Sequence, residues 1–315
     1  MAIKEFEVSI RTRRFQIIIA LFAIISLGMI YSSKRLGISV NLYKTPFQML
    51  FLSSFSNAFN YSISLLGILL GTTANEEIET GNPKLVAPKP AYRDEIIAGK
   101  LLGGLLTLSV ALALFYILTV AFALILGGPI TGDDLVKFLA TFPFSVLYGL
   151  IFLNLGLLIS TLVKKSRNAL IMSIFLFVFF GFLLSIIAKV VALAVAGLPP
   201  VPDISENVTN LSDEQLREVF LKDPTYRAWL IKMTITAERI LYISPNYHYQ
   251  EILQMLFGRK PQISDIVSAL AYGQSLVEER SIVESLGFVW KNIIALLVMF
   301  IFSFVSAYLR FMTKV

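Results

Sequence analysis

The sequence predicts an all-α integral membrane protein with six transmembrane helices, an N-terminal interfacial amphipathic helix and an extracellular helical insertion between helices 5 and 6. Three observations predict this fold class. Apolar residues make up 56% of the 315 residues and charged residues only 15%, too few charges for a soluble domain of this size. The mean hydropathy is +0.75. Apolar runs of about 20 residues, the length that crosses the hydrocarbon core as a helix, recur along the chain.

The predicted spans are six apolar runs. A cleaved signal peptide is the alternative interpretation of the first and shortest run. We favour a retained anchor, because the run is longer than a usual signal-peptide core and no small-x-small cleavage site follows it. The runs extend over Phe15 to Tyr31, Phe47 to Thr73, Leu101 to Leu126, Phe138 to Val163, Ala169 to Ala188 and Ile293 to Leu309.

The spans divide the chain into segments. The N-terminal segment has Phe6 and Ile10 placed to face lipid and Lys4 and Arg11 placed to meet headgroups, as in a helix that lies in the membrane interface. A positive-inside signal explains the same residues and is compatible with it. The segments are 1–14 (interfacial amphipathic helix), 15–196 (spans 1 to 5, with a cytoplasmic loop at 74–100), 197–286 (extracellular helical insertion) and 287–315 (span 6 and a cytoplasmic C-terminus).

Lysine and arginine beside the spans predict the orientation. With both termini in the cytoplasm, the inside segments hold thirteen basic residues and the short outside loops hold four. We therefore predict a multi-pass protein of the cell (plasma) membrane. The net charge of +6 is explained by inside loops that meet anionic headgroups, so membrane lipid and not nucleic acid is the expected partner. The inside residues are Lys4, Arg11, Arg13, Arg14, Lys84, Lys89, Arg93, Lys100, Lys164, Lys165, Arg167, Arg310 and Lys314.

The composition excludes several kinds of site. The chain has no cysteine and one histidine, His248, which excludes disulfides, thiolate catalysis and multi-histidine metal sites. His248 is expected to be a surface or packing residue. No phosphate-binding loop of the form G-x-x-x-x-G-K-[ST] is present, so we expect no catalytic residue, no metal and no cofactor bound by this chain.

The second span carries polar residues at helical spacing. Ser53, Asn57, Asn60 and Ser64 share one face, which must meet protein or water because an unpaired amide in hydrocarbon is costly. Contact with another helix and the lining of a translocation path are both compatible with this face.

Small residues in two spans permit close helix contact. Gly67 and Gly71, and Gly99 and Gly103, have small-xxx-small spacing, although this pattern is common in membrane helices. Asn154 in the fourth span is interpreted as a packing contact.

The fifth span is rich in phenylalanine. Phe175, Phe177, Phe179, Phe180 and Phe182 cover every face of a helix. Lipid contact accounts for some of these rings. The lining of an apolar path, or a subunit interface at Phe175, Phe179 and Phe182, is the alternative.

The segment 197–286 contains helical signals and glycosylation patterns. Ser212 begins a capping-box pattern, and Tyr226 to Ile243 repeats apolar residues at helical spacing. Asn207 and Asn210 begin Asn-x-Ser/Thr patterns, which suit an external segment. The pattern is unspecific, because Asn60 also matches it.

The loop between the second and third predicted spans carries a spaced motif. An acidic stretch is followed by a Gly/Pro-rich bend and then by residues that lead into the next span. The motif residues are Glu77-Ile-Glu79-Thr-Gly81-Asn82, Pro90-Ala-Tyr-Arg93 and Gly99-Lys100.

This loop resembles that of the permease subunits of type-2 ATP-binding-cassette (ABC) exporters. Those subunits typically have Glu-x-Glu-x-Gly-Thr, an apolar turn, Pro-x-x-Arg and then Gly-Lys. The present chain differs by Asn82 in place of Thr, by Pro83 in place of an apolar residue and by an extra residue before Pro90. Ser244 to His248 resembles the Ser-Pro-x-x-His stretch often found before the last span of these subunits.

The resemblance implies a half-transporter. A second permease subunit, identical or different, would complete the path, and separate ABC ATP-binding subunits would bind ATP and Mg. The loop at 74–100 would be the coupling loop, with Glu76, Glu77, Glu79 and Arg93 at the contact with the ATP-binding subunit. A solvated charged loop beside the headgroups is the alternative interpretation of these residues. The second and fifth spans would line the path.

Two other functions are compatible with a polytopic protein. A self-contained secondary transporter or channel usually has ionisable residues near the middle of the membrane, whereas the predicted spans contain no acid. An intramembrane enzyme is disfavoured by the lack of paired acids, metal ligands or an activated nucleophile.

Overall fold

The computed structural model of the protein describes residues 2–35, 42–79, 93–126, 130–163, 165–201 and 213–314, which are mostly helical. Within these ranges there is no β-strand, only an isolated antiparallel bridge between Arg259 and Val277. The predicted all-α class is confirmed.

The helices are named in chain order. In the described ranges, two π-helical segments interrupt the α-helices: the first π segment (Phe51–Phe55) and the second π segment (Phe179–Leu183). The α-helices of the described ranges are α1 (Ala2–Arg11), α2 (Arg13–Arg35), α3 (Pro46–Leu50), α4 (Ser56–Glu79), α5 (Arg93–Ile125), α6 (Gly132–Ala140), α7 (Phe142–Leu162), α8 (Ser166–Val178), α9 (Leu184–Ala196), α10 (Asp213–Lys222), α11 (Pro224–Leu241), α12 (Pro245–Leu256), α13 (Ile263–Tyr272) and α14 (Ile282–Lys314).

Four helical stretches of the described ranges are long and apolar enough to cross a membrane, which makes this a multi-pass membrane protein. They cover the third to sixth predicted spans. The first predicted span contains a shorter apolar stretch in α2, and the second overlaps α4. The count of six spans remains a prediction. The four stretches are Ile97–Ile125, Gly132–Leu162, Ser166–Ala196 and Ile282–Thr313.

The predicted N-terminal helix over residues 1–14 is divided between α1 and α2 at Thr12. The Thr12 hydroxyl donates a hydrogen bond to the Ser9 carbonyl at 2.7 Å and accepts one from the Phe15 N–H at 3.2 Å. Thr12 therefore caps α2 and ends α1. Ile10, which we expected to face lipid, instead packs against the hydrophobic core.

Close packing of α4 on α7 forms the centre of the bundle. A Cβ atom added to Gly67 would overlap the carbonyl oxygen of Gly149, and one added to Gly71 would overlap that of Leu153. Because these positions have no side chain, the two backbones touch directly. The close contact permitted by the Gly67–Gly71 spacing is thus present.

One end of the bundle, the α6 end, joins three segments that are distant in sequence. The Lys44 ammonium donates to Glu279 at 2.7 Å, and the Thr45 hydroxyl donates to Asp134 at 3.0 Å. The segments that precede α3 and α14 therefore meet the first turn of α6 at the same end. All three were predicted to lie on the external side, so their meeting agrees with the predicted alternation of the spans.

The segment between α9 and α14 is helical in its described part, but α12 does not lie on the surface of the bundle. Helix α11 contacts α9, and the Trp229 indole N–H donates to the Gly197 carbonyl at 2.9 Å. The chain then turns, and α12 enters the bundle. Its residues Tyr249, Ile252 and Leu256 are completely buried. The extracellular location of the 197–286 insertion remains a prediction. Helix α12 packs inside the bundle because both its apolar and its polar side chains find partners among the spans.

Candidate functional site: a polar and aromatic face of the second and fifth spans

The predicted polar face of the second span is divided in the structure. Asn57 is exposed, whereas Asn60 and Ser64 are buried. The Ser64 hydroxyl donates to the Tyr61 carbonyl of its own helix at 3.0 Å. Ser53 lies in the first π segment, and its side chain is outside the described residues. Among the members of this face whose side chains are described, Asn57 is therefore exposed, and Asn60 and Ser64 lie inside the bundle.

Gln250 of α12 completes the polar surface around Asn57. Its amide N–H groups donate to the Ser56 hydroxyl at 2.8 Å and to the Asn57 carbonyl oxygen at 3.1 Å. Sequence reasoning missed Gln250, and the one available signal was its place two residues after the Ser-Pro-x-x-His stretch. The contact joins positions 193 residues apart, which no local pattern reveals.

The phenylalanine residues of the fifth span divide between surface and core. Phe175 is 55% exposed and Phe182 is 44% exposed. Phe179 is partly buried, and two further rings of the run pack against the core. The Phe182 ring stacks on Tyr61 of α4 with centroids 4.7 Å apart. The structure thus brings the second and fifth spans together through an aromatic pair close to Asn60.

The predicted coupling residues lie at the ends of α4 and α5. The backbones of Glu76, Glu77 and Glu79 form the last turns of α4, and Arg93 begins α5. The side chains of all four, and residues 80–92 as a whole, lie outside the described residues. The proposed docking contacts of these residues remain predictions.

The beginning of α5 is attached to α1. The Lys100 ammonium donates to the Glu5 carboxylate at 3.4 Å, and both side chains are largely buried. A Cβ atom on Gly103 would lie 2.5 Å from the Glu5 Cβ and 3.0 Å from the Ala2 carbonyl oxygen. This opposite end of the bundle, the α1 end, therefore places the N-terminal helix next to the helix that follows the loop.

The α6 end contains an open cavity of about 500 Å³ with charged walls. Lys137 pairs with Asp133 at 2.6 Å, one turn apart on α6. The Lys44 ammonium, which bonds to the Glu279 carboxylate, holds the pKa of this carboxyl below its usual range. Three cations and four acids line the walls, so the positive and negative charges nearly balance.

His248 and Asn154 both act as packing contacts. His248 is buried, with Nδ1 2.7 Å from the Asn292 side-chain oxygen and Nε2 2.8 Å from the Tyr242 carbonyl oxygen. The Asn154 amide donates to the Ser303 hydroxyl at 3.3 Å. His248 thus fixes the start of α12 to α14, and Asn154 connects α7 to α14.

The remaining predicted sites are not located. Asn207 and Asn210 lie outside the described residues. Among the residues that the structure describes, no group of three or more His, Cys, Asp or Glu side chains could hold a metal ion. What the described surface offers is a set of amides and rings, which can bind by hydrogen bonds and stacking.

Comparisons with known proteins identify the family to which the chain belongs. A search of curated proteins gave no match. A family model described as ABC-2 family transporter protein matches residues 1–314. Permeases of this family generally work with ATP-binding subunits. Since the match covers nearly the whole sequence and the fold is a helical membrane bundle, the chain belongs to the ABC-2 family of transporter proteins and is a membrane permease component of an ABC transporter.

Proposed function

We propose that this permease is half of an ATP-driven exporter. A second permease subunit would complete the translocation path. Separate ATP-binding subunits would supply ATP and Mg, so this chain would bind neither. The path would run between the subunits along α4 and along α8, the second π segment and α9.

The observation that carries the proposal is the exposed amide of Asn57 on a bundle with a largely apolar surface. An amide in contact with hydrocarbon loses its hydrogen bonds to water, so such a residue normally faces protein or a water-filled cavity. Tyr61 and Phe182 lie further along the same helices. A surface with both amides and rings suits a path for amphipathic cargo.

The proposed orientation places the α1 end in the cytoplasm and the α6 end outside the cell. Both termini would then be cytoplasmic, and the segment between α9 and α14 would be extracellular. The bias of Lys and Arg toward the predicted inside loops supports this orientation. It also places the 74–100 loop in the compartment that contains ATP.

The proposed drive acts through the acidic end of α4 and the beginning of α5. Glu76, Glu77, Glu79 and Arg93 would contact the ATP-binding subunit, and closure of the ATP-binding subunits would move α4 and α5. The ion pair of Glu5 with Lys100 would carry part of this motion to α1. Support comes from the motif spacing and from the packing of α1 on α5.

Co-purification with charge-reversal variants tests the drive. Tagged protein from its native host is expected to retain an ATP-binding subunit, and Glu77→Lys combined with Glu79→Lys is expected to reduce the retained amount at least about tenfold, since several charged contacts of roughly 1 kcal/mol each are reversed.

The matched control reverses two acids at the opposite end. Glu278→Lys combined with Glu279→Lys makes the same change of charge near the α6 end and is expected to leave the ATP-binding subunit bound. If no ATP-binding subunit accompanies the wild-type chain, the exporter proposal is wrong. If it stays bound equally to both double variants, the loop is not the docking site.

A further inference from the structure

We propose that α12 holds the external gate of the path closed, and that Asn246 and Gln250 are the positioning residues through which it acts on both path-lining helices. This inference rests on the proposed function. It assigns a role to the Ser244 to His248 stretch and to Gln250, neither of which takes part in docking the ATP-binding subunit.

Helix α12 is anchored on the side away from the path. The Tyr249 hydroxyl lies 2.5 Å from the Ser145 hydroxyl of α7, which also contacts Tyr116 of α5 at 2.7 Å. His248 contacts Asn292 of α14 at 2.7 Å. Because Tyr249 and His248 are buried, these contacts are shielded from water and fix α12 relative to α5, α7 and α14.

The second π segment is attached to the first turn of α12. The Asn246 amide donates to the Phe180 carbonyl at 3.1 Å, and its side-chain oxygen accepts a hydrogen bond from the Tyr148 hydroxyl. A π segment changes the regular bonding of a helix and leaves backbone groups that need other partners. Asn246 supplies such a partner inside the fifth span, where the helix is easiest to bend.

The first π segment is attached further along α12. Gln250 donates to Ser56 and Asn57, which directly follow this segment. Beyond Gln250, the Phe257 ring stacks on Phe51 with centroids 4.0 Å apart. The two π segments, one in each proposed path-lining span, are therefore both held by α12.

The mechanical consequence concerns the position of the two helices that would face the second subunit. With α12 fixed to α5, α7 and α14 and bonded to both π segments, the parts of the second and fifth spans near the α6 end are held in one position relative to the rest of the bundle, which would keep the path between the subunits closed at that end. Loss of the Asn246 donor removes its hydrogen bond to the Phe180 carbonyl, which weakens the preference for the closed arrangement. The open arrangement then becomes more populated without any input from ATP.

Labelling of single cysteines tests the gate, because the chain contains no cysteine of its own. Phe175→Cys is the reporter, since Phe175 is exposed on α8 further from the α6 end than the second π segment. The complete transporter in right-side-out vesicles is treated with a membrane-impermeant maleimide without nucleotide. Asn246→Ala and Gln250→Ala are each expected to raise the labelling rate roughly tenfold, the effect of about 1.4 kcal/mol on a two-state equilibrium.

Two further variants separate gating from general loosening. Asn154→Ala removes a different buried amide, on α7, which bonds Ser303 of α14, and it should leave the labelling rate unchanged. Asn246→Asp keeps the acceptor for Tyr148 but removes the donor to Phe180, so it should act like Asn246→Ala. If Asn246→Ala does not fold, Gln250→Ala decides, since Gln250 is only partly buried.

The inference is overturned if Gln250→Ala and Asn246→Asp label at the wild-type rate, or if Asn154→Ala labels as fast as they do. Retention of the ATP-binding subunit is measured on the same samples. Unchanged labelling with the subunit bound rejects the gate and leaves the exporter standing. Absence of the subunit from the wild-type sample rejects the exporter itself.

Discussion

Buried amides are the most informative single residues of this bundle. Asn246 satisfies both ends of its side chain, whereas Asn60 and Asn154 each have a buried side-chain oxygen without a hydrogen-bond partner in the described part of the chain. An unpaired carbonyl oxygen of this kind costs roughly 1–3 kcal/mol. Asn246 and Asn154 thus join helices by hydrogen bonds of their amides, whereas Asn60 lies inside the bundle with a side-chain oxygen that has no partner among the described residues.

Gly71 gives the sharpest prediction about stability. In Gly71→Ala the new methyl group meets the Leu153 carbonyl oxygen, so α4 and α7 must separate, with an expected loss of about 1–3 kcal/mol. Thermal unfolding in detergent, followed by size-exclusion chromatography, measures it. Gly287→Ala in α14 is the control, because nothing lies within 4 Å of its added Cβ, and it should be neutral or slightly stabilising. Equal melting temperatures for the two variants would contradict the direct backbone contact.

At the scale of elements, α1 packs against the bundle and is not a free interfacial helix. Glu5 and Lys100 form an ion pair, and their side chains are only 21% and 11% exposed. Gly103 has no side chain, so α1 and α5 can approach each other closely. An amphipathic pattern predicts a face that avoids water, but it does not say whether lipid or protein covers that face. In this protein, α5 covers part of that face, because Gly103 and Lys100 of α5 contact α1.

A double-mutant cycle measures this attachment. Lys100→Glu and Glu5→Lys should each lower the melting temperature, and the combined exchange should recover part of the loss, with a coupling energy of about 1 kcal/mol for a partly buried pair. Thermal unfolding of the four proteins gives the value. Strictly additive effects would mean that the pair contributes nothing to holding α1.

The π segments and α12 show where prediction of elements from sequence stops. Apolar run length predicted the positions of the helices, because a helix must satisfy its own backbone in hydrocarbon. The same runs contain no signal for a local change from α to π bonding at Phe51–Phe55 or Phe179–Leu183. Those changes depend on partners such as Asn246, which come from a distant part of the chain.

The whole molecule has two ends of different chemistry. Acids and cations from three segments meet at the α6 end, and the N-terminal helix packs at the α1 end. α14 has 33 residues, so at 1.5 Å per residue it is about 50 Å long, and it exceeds the hydrocarbon thickness by roughly 20 Å. A helix of this length must tilt or project beyond the hydrocarbon.

Accessibility from the two sides of the membrane tests the orientation. Gly132→Cys, where nothing lies within 4 Å of an added Cβ, and Glu95→Cys, at an exposed position, report on the α6 end and the α1 end. In intact cells an impermeant maleimide should label Gly132→Cys alone, and Glu95→Cys should label after permeabilisation. The reverse result would place the 74–100 loop outside, where an ATP-dependent partner has no nucleotide.

The sequence by itself determined the membrane class, the approximate positions of the helices and the family, because these follow from composition, from apolar run length and from a motif read along the chain. Only the tertiary structure decided that α12 enters the bundle, that Gln250 meets Asn57 and that Tyr61 stacks on Phe182. The physical reason is that these contacts join residues far apart in sequence. Their partners are selected by packing in three dimensions, and no local periodicity encodes that selection.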